Sequence, residues 1–71
     1  MSGQDLKAER ARRGLKLREL ADAAGVTVQL VHKWENLPSP RPETCAKYLQ
    51  AVSDAESARA SHYAQMEATA E

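Results

Sequence analysis

The sequence predicts an all-α protein, a compact bundle of four to five helices. Thirteen alanines, no phenylalanine and few β-branched residues favour helix over sheet. Chain breakers stand at Gly3, Gly14 and Gly25 and in the run Pro38-Ser39-Pro40-Arg41-Pro42. Between these breakers the apolar residues recur at helical spacing. With 71 residues the chain is one domain.

The first helix is expected over residues 4–13, with Gly14 in the left-handed position that ends helices. The second covers residues 17–24, where Leu17, Leu20, Ala21 and Ala24 share a face, and Gly25 ends it. Thr27 opens the third, its hydroxyl suited to cap exposed backbone N–H groups, and the helix runs to Glu35 or Asn36. Pro42 fits the first turn of a fourth helix, with Glu43 on the favourable side of the helix dipole. Cys45, Tyr48, Leu49 and Val52 give that helix an apolar stripe. Ser53-Asp54 is a cap for a fifth helix over residues 54–68. Because no Gly or Pro follows Pro42, one continuous helix is the alternative. The domain plan is therefore residues 1–53 as a helical unit, with residues 54–71 as a terminal helix of the same domain.

Several functions are excluded. Cys45 is the only cysteine, so no internal disulfide forms. With His32 and His62 it matches no zinc spacing, and it has no acid to complete a catalytic pair. No Gly-rich phosphate loop or paired-carboxylate site is visible, so neither enzyme activity, cofactor nor metal is expected. No apolar run approaches a membrane span and no signal segment opens the chain, which predicts a cytoplasmic protein without a membrane partner. Ten bases balance ten acids overall, but unevenly. Residues 1–50 hold nine bases against six acids, and residues 51–71 hold one against four. The basic front suits an anionic partner.

The informative stretch is residues 17–36, LRELADAAGVTVQLVHKWEN. A short helix ends in Ala-Gly, a few residues turn, and a second short helix follows. Ala21 is small where the two helices approach, and Gly25 supplies the positive φ of a tight turn. Leu20, Val26, Val31 and Trp34 can face one core, which leaves Val28, Gln29, His32 and Lys33 facing outwards. This specifies a helix-turn-helix, the unit that presents its second helix to a DNA major groove. Trp34 could stack on a base, but its inward position favours core packing.

From Leu6 to Val52 the chain resembles the Cro/phage-repressor (XRE) family of helix-turn-helix domains. The matching residues are Arg10, Gly14-Leu15, Leu20-Ala21, Gly25-Val26, Trp34-Glu35 and Pro40. The resemblance implies a lambda-repressor-like bundle that binds double-stranded operator DNA, generally as a homodimer. It also implies a partly buried ion pair between Arg10 and Glu35. Lys16 and Leu17 depart from the family, which usually has Ser or Thr, and often Gln, at those positions. The second helix therefore lacks its usual side-chain cap.

By the same resemblance, Val28, Gln29, His32 and Lys33 occupy the positions that approach base edges. Their chemistry suits the task. Gln bonds adenine N6 and N7, Lys donates to guanine O6 and N7, His donates to an acceptor, and Val meets a thymine methyl. Lys16, Arg18, Thr27, Asn36, Ser39 and Arg41 flank these residues and suit phosphate contacts, which set register without reading sequence. Arg12 and Arg13, at the end of the first helix, complement its dipole.

The end of the fourth helix and the terminal helix are expected to help a second copy dimerise, through Leu49, Val52, Ala55, Tyr63 and Met66. The competing arrangement folds it back onto its own core. Together these readings predict a homodimeric repressor of phage or plasmid type on a palindromic operator, with its own promoter as one candidate site. Two alternatives compete with it: an antitoxin-like or adaptor module that binds a protein partner, and a non-specific architectural DNA binder. The neutral overall charge speaks against the second of these.

Overall fold

Four helices, α1 (Gly3–Arg12), α2 (Leu17–Ala24), α3 (Val28–Glu35) and α4 (Pro42–Thr69), account for the fold. The computed structural model describes the backbone of residues 1–69 and the side chains of residues 1–61. There are no strands among the described residues. The all-α architecture predicted from composition and breakers is the one observed.

Both short linkers obey the same local rule. After α1, Gly14 takes φ +67° and donates to the Ala11 carbonyl at 3.0 Å, while Leu15 N–H reaches back to Arg10 at 3.2 Å. After α2, Gly25 takes φ +70°, and the N–H groups of Gly25 and Val26 meet the carbonyls of Asp22 and Ala21. Each is a paired closure that satisfies the last carbonyls of a helix, and each needs glycine because a Cβ disfavours that conformation. Thr27 caps α3 as predicted, its hydroxyl accepting Leu30 N–H at 3.2 Å. Lys16 precedes α2 without a side-chain cap; instead the Glu19 carboxylate accepts Lys16 N–H at 3.1 Å.

Gly3 is not a breaker. It is the first residue of α1, buried against the end of α3, and its N–H donates to Leu37 at 2.8 Å. A Cβ there would lie 2.5 Å from the Glu35 carbonyl oxygen and 2.6 Å from that of Leu37. Both obstacles are backbone, so neither can swing aside. Gly3→Ala is expected to cost about 1–3 kcal/mol by forcing α1 away from α3. A urea midpoint equal to that of the wild type would reject this contact.

The tail is not a fifth helix. Ser53 and Asp54 lie exposed in mid-helix, with Asp54 accepting a hydrogen bond from Gln50 at 3.0 Å, and α4 runs on through them unbroken. Nothing in the chain interrupts the backbone ladder there, and a continued helix leaves fewer end groups unsatisfied than a break does. The core forms where α2 packs on α3 and α4, from Leu6, Leu15, Leu20, Ala21, Val31, Tyr48, Ala51, Val52 and Ala55. Leu17, Val26, Trp34 and Cys45 pack against it half-buried.

Val52 and Ala55 are therefore corrected as dimer contacts. They are 2 % and 4 % exposed within their own chain, because the inner face of α4 covers α2. Leu49 alone of the proposed contact residues with described side chains stays at the surface, 36 % exposed. Tyr63 and Met66 lie outside the described side chains.

Ion pairs fasten the helices at the surface. Glu9 of α1 pairs with Arg12 and with Arg13 just after the helix, Arg13 also bridges to Glu56 on α4, and Glu19 on α2 pairs with Arg59. Arg13 thus does more than complement a dipole: it ties α1 to α4. Three carboxyls are held below the usual range. For Asp5 the main cause is the Ser2 backbone N–H, for Glu9 the Arg12 guanidinium, and for Glu19 the Lys16 backbone N–H. Their contribution to stability is complete above the ordinary carboxylate range and is lost as pH falls through the lowered folded values. The thermal midpoint by circular dichroism is expected to hold from neutrality to about pH 4.5 and to fall below that. An unchanged midpoint at about pH 2.5 would show that these groups do not couple to folding.

Candidate nucleic-acid interface

The site is built on α3, and what holds α3 is a buried polar junction. Arg10 of α1 grips Glu35 of α3 with Nε to Oε2 at 2.7 Å and Nη2 to Oε1 at 3.3 Å. The third guanidinium nitrogen donates to the Leu15 carbonyl at 2.9 Å. Tyr48 of α4, fully buried, donates its hydroxyl to the same Glu35 carboxylate at 2.6 Å. Glu35 is 3 % exposed, and no buried side-chain nitrogen or oxygen among the described residues lacks a partner. A buried charge is tolerable only with such complete pairing. The hydrogen bonds that Arg10 donates to Glu35 raise the Arg10 pKa further, and burial, with Glu35 beside it, pushes the Tyr48 phenol well above its ordinary value.

The family resemblance implied the Arg10–Glu35 pair but not its third member. The signal was present: a tyrosine on the inner stripe of a helix brings a hydroxyl that must find a partner.

Anchored in this way, α3 divides sharply. Val31 is 1 % exposed and Trp34 packs half-buried on the core. Val28, Gln29, His32 and Lys33 all lie at the surface. Leu20 and Ala21 are buried beneath the helix pair, and Gly25 makes the turn between its members. Leu17 leans on the core, so an apolar contact replaces the polar role its family position often carries.

The described arginines fall into two groups. Arg10, Arg12, Arg13 and Arg59 are paired with glutamates. Arg18 and Arg41 are exposed with no carboxylate within salt-bridge distance among the described residues, and so are Lys16 and Lys33. Lys16 and Arg18 stand at the start of α2, Lys33 in the last turn of α3 and Arg41 just before α4, while Lys7 and Lys47 are exposed elsewhere and likewise unpaired among the described residues. Thr27 and Ser39 are also exposed beside α3. Asn36 is exposed too, but its amide nitrogen is turned inwards along the helix, 2.9 Å from the His32 carbonyl and 3.3 Å from His32 Nε2. The His32 carbonyl thereby engages one hydrogen of the Asn36 amide, which weakens Asn36 as a donor to a phosphate.

No helix among the described residues is long and apolar enough to cross a membrane, and no group of His, Cys, Asp or Glu there could hold a metal ion. Neither a curated protein nor a solved structure matches the chain significantly. A family model described as helix-turn-helix matches residues 6–52, about two thirds of the chain. With the buried Arg10–Glu35 junction behind α3 and a polar face in front of it, the chain belongs to the Cro/phage-repressor (XRE) type of helix-turn-helix family, whose members are DNA-binding transcription regulators.

Proposed function

We propose that this protein is a sequence-specific repressor of phage or plasmid type. It binds a palindromic operator as a homodimer, acts in the cytoplasm, and controls its own promoter where that operator lies upstream of its gene. The observation that supports this reading is the division of α3, with Val31 and Glu35 inside and Gln29, His32 and Lys33 outside. In the major groove Gln29 and Lys33 read base edges, Val28 meets a thymine methyl, and His32 donates a hydrogen bond. Lys16, Arg18, Thr27, Ser39 and Arg41 hold phosphates. A second copy, paired through the surface around Leu49, sets two recognition helices about 34 Å apart.

Operator selection from a random duplex pool, followed by titration at several salt concentrations, tests this. Gln29→Ala and Lys33→Ala are each expected to cost about 1–3 kcal/mol on the selected site and to relax its sequence, with unchanged urea midpoints. Arg41→Ala is expected to weaken all duplexes alike and to lower the salt slope by about one. Equal affinity for every duplex would instead indicate an architectural binder, and no affinity for DNA a protein-interaction module. Sedimentation that gives a strict monomer, with one molecule per operator, would reject the dimer.

A further inference from the structure

We infer that Asn36 is a positioning residue that fixes the tautomer of His32 and makes it a donor-only reader of DNA; the DNA half of this inference rests on the function proposed above. The chain of contacts begins at the end of α3. Asn36 N–H bonds back to Lys33 at 3.1 Å, a tighter turn than the helix, so it does not close on the His32 carbonyl. That carbonyl is one of the last four of the helix, which have no partner in the regular ladder. The Asn36 side chain fills the gap, with Nδ2 at 2.9 Å from His32 O.

This contact settles which way the amide faces. A carbonyl oxygen can only accept, so the group that meets it must be the NH₂ and not the amide oxygen. The same nitrogen lies 3.3 Å from His32 Nε2. An NH₂ group has two hydrogens and no lone pair to offer, so Nε2 must accept, and an accepting Nε2 carries no proton. The proton of the uncharged ring is then on Nδ1. An unrestrained imidazole prefers the opposite arrangement, with the proton on Nε2.

The consequence is a change in what position 32 can recognise. A free histidine can present either a donor or an acceptor. Here the one acceptor nitrogen is occupied by Asn36, so the exposed ring has a single N–H to give. Guanine offers N7 and O6 to such a donor, whereas cytosine presents an amine, which is a second donor and is rejected. Asn36 thus shapes specificity through His32 without touching a base.

Nitrogen-15 NMR of the imidazole in the DNA-free protein, in alkaline buffer where the ring is uncharged, reads the tautomer directly. The wild type is expected to show a protonated Nδ1 and a bare Nε2, and Asn36→Ala to shift towards a protonated Nε2. A wild type with the proton on Nε2 overturns the inference, as does an Asn36→Ala spectrum identical to it. Should Asn36→Ala fail to fold, Asn36→Asp serves. Its carboxylate has no hydrogen to give Nε2, so the proton is expected to return there; a proton that stays on Nδ1 overturns the inference. In random-duplex selection, the wild type is expected to exclude cytosine at one step, and Asn36→Ala to reduce that exclusion several-fold at unchanged folding. Exclusion that persists undiminished in Asn36→Ala overturns the specificity role. If the wild type selects no sequence at all, the repressor reading and the base-reading role fall together, and the ring spectrum alone then decides the tautomer.

Discussion

Arg10→Met is expected to destabilise the protein by about 3–5 kcal/mol, since it strands a buried charge. Glu35, 3 % exposed, loses both guanidinium contacts and keeps only the Tyr48 hydroxyl. Methionine fills much of the same volume, so the loss reports charge and hydrogen bonding more than a cavity. A domain of this length has a total stability of roughly 4–10 kcal/mol, which puts the variant near the edge of folding. Adding Glu35→Leu should recover part of the loss, because an apolar pair avoids the cost of desolvating ions. The Tyr48 hydroxyl would then be the orphan, and adding Tyr48→Phe should recover more. Urea unfolding of the single, double and triple variants measures each step. An Arg10→Met variant within about 1 kcal/mol of the wild type would show that water or another group already satisfies Glu35.

Leu20→Ala is expected to cost about 2–5 kcal/mol. Leu20 is 0 % exposed in the core and belongs to α2, the helix that packs against both α3 and α4. Removing its side chain leaves a cavity that helices fixed from two sides can only partly close. Val28→Ala is the matched control, because Val28 is an exposed aliphatic on the adjacent helix and should change stability by less than about 0.5 kcal/mol. Denaturant midpoints compare the two directly, and equal losses would contradict the placing of Leu20 inside the α2–α3 pair and Val28 outside it. DNA affinity adds a second criterion. Leu20→Ala should lower it only through the folded fraction, whereas Gln29→Ala should lower it with folding intact.

These two variants act on one property, the rigidity with which α3 is held. Recognition by a helix needs side chains fixed in place before they meet a groove, since ordering them on contact would reduce affinity. The junction at Glu35 ties α3 to both α1 and α4 through one carboxylate. Packing beneath Val31 does the same through apolar contact.

Patterns local in the chain were sufficient for much of this. Alanine content and the breakers gave an all-α fold, Gly14 and Gly25 marked two helix ends, and Thr27 marked a start, because caps and turns depend on a few adjacent residues. The spacing of Val31 and Trp34 against Gln29, His32 and Lys33 assigned the two faces of α3, since helical period alone sets which residues share a side. Contacts distant in sequence were decided only in three dimensions. Gly3 looked like a breaker and is a point of backbone contact between α1 and the end of α3, which no local pattern encodes. Tyr48 joined the Arg10–Glu35 pair, and Val52 and Ala55 turned inwards, because the position of α4 over α2 fixes what each of its faces meets. Asn36 likewise meets the His32 carbonyl with its amide, because the backbone tightens at the end of α3 and leaves that carbonyl to be filled.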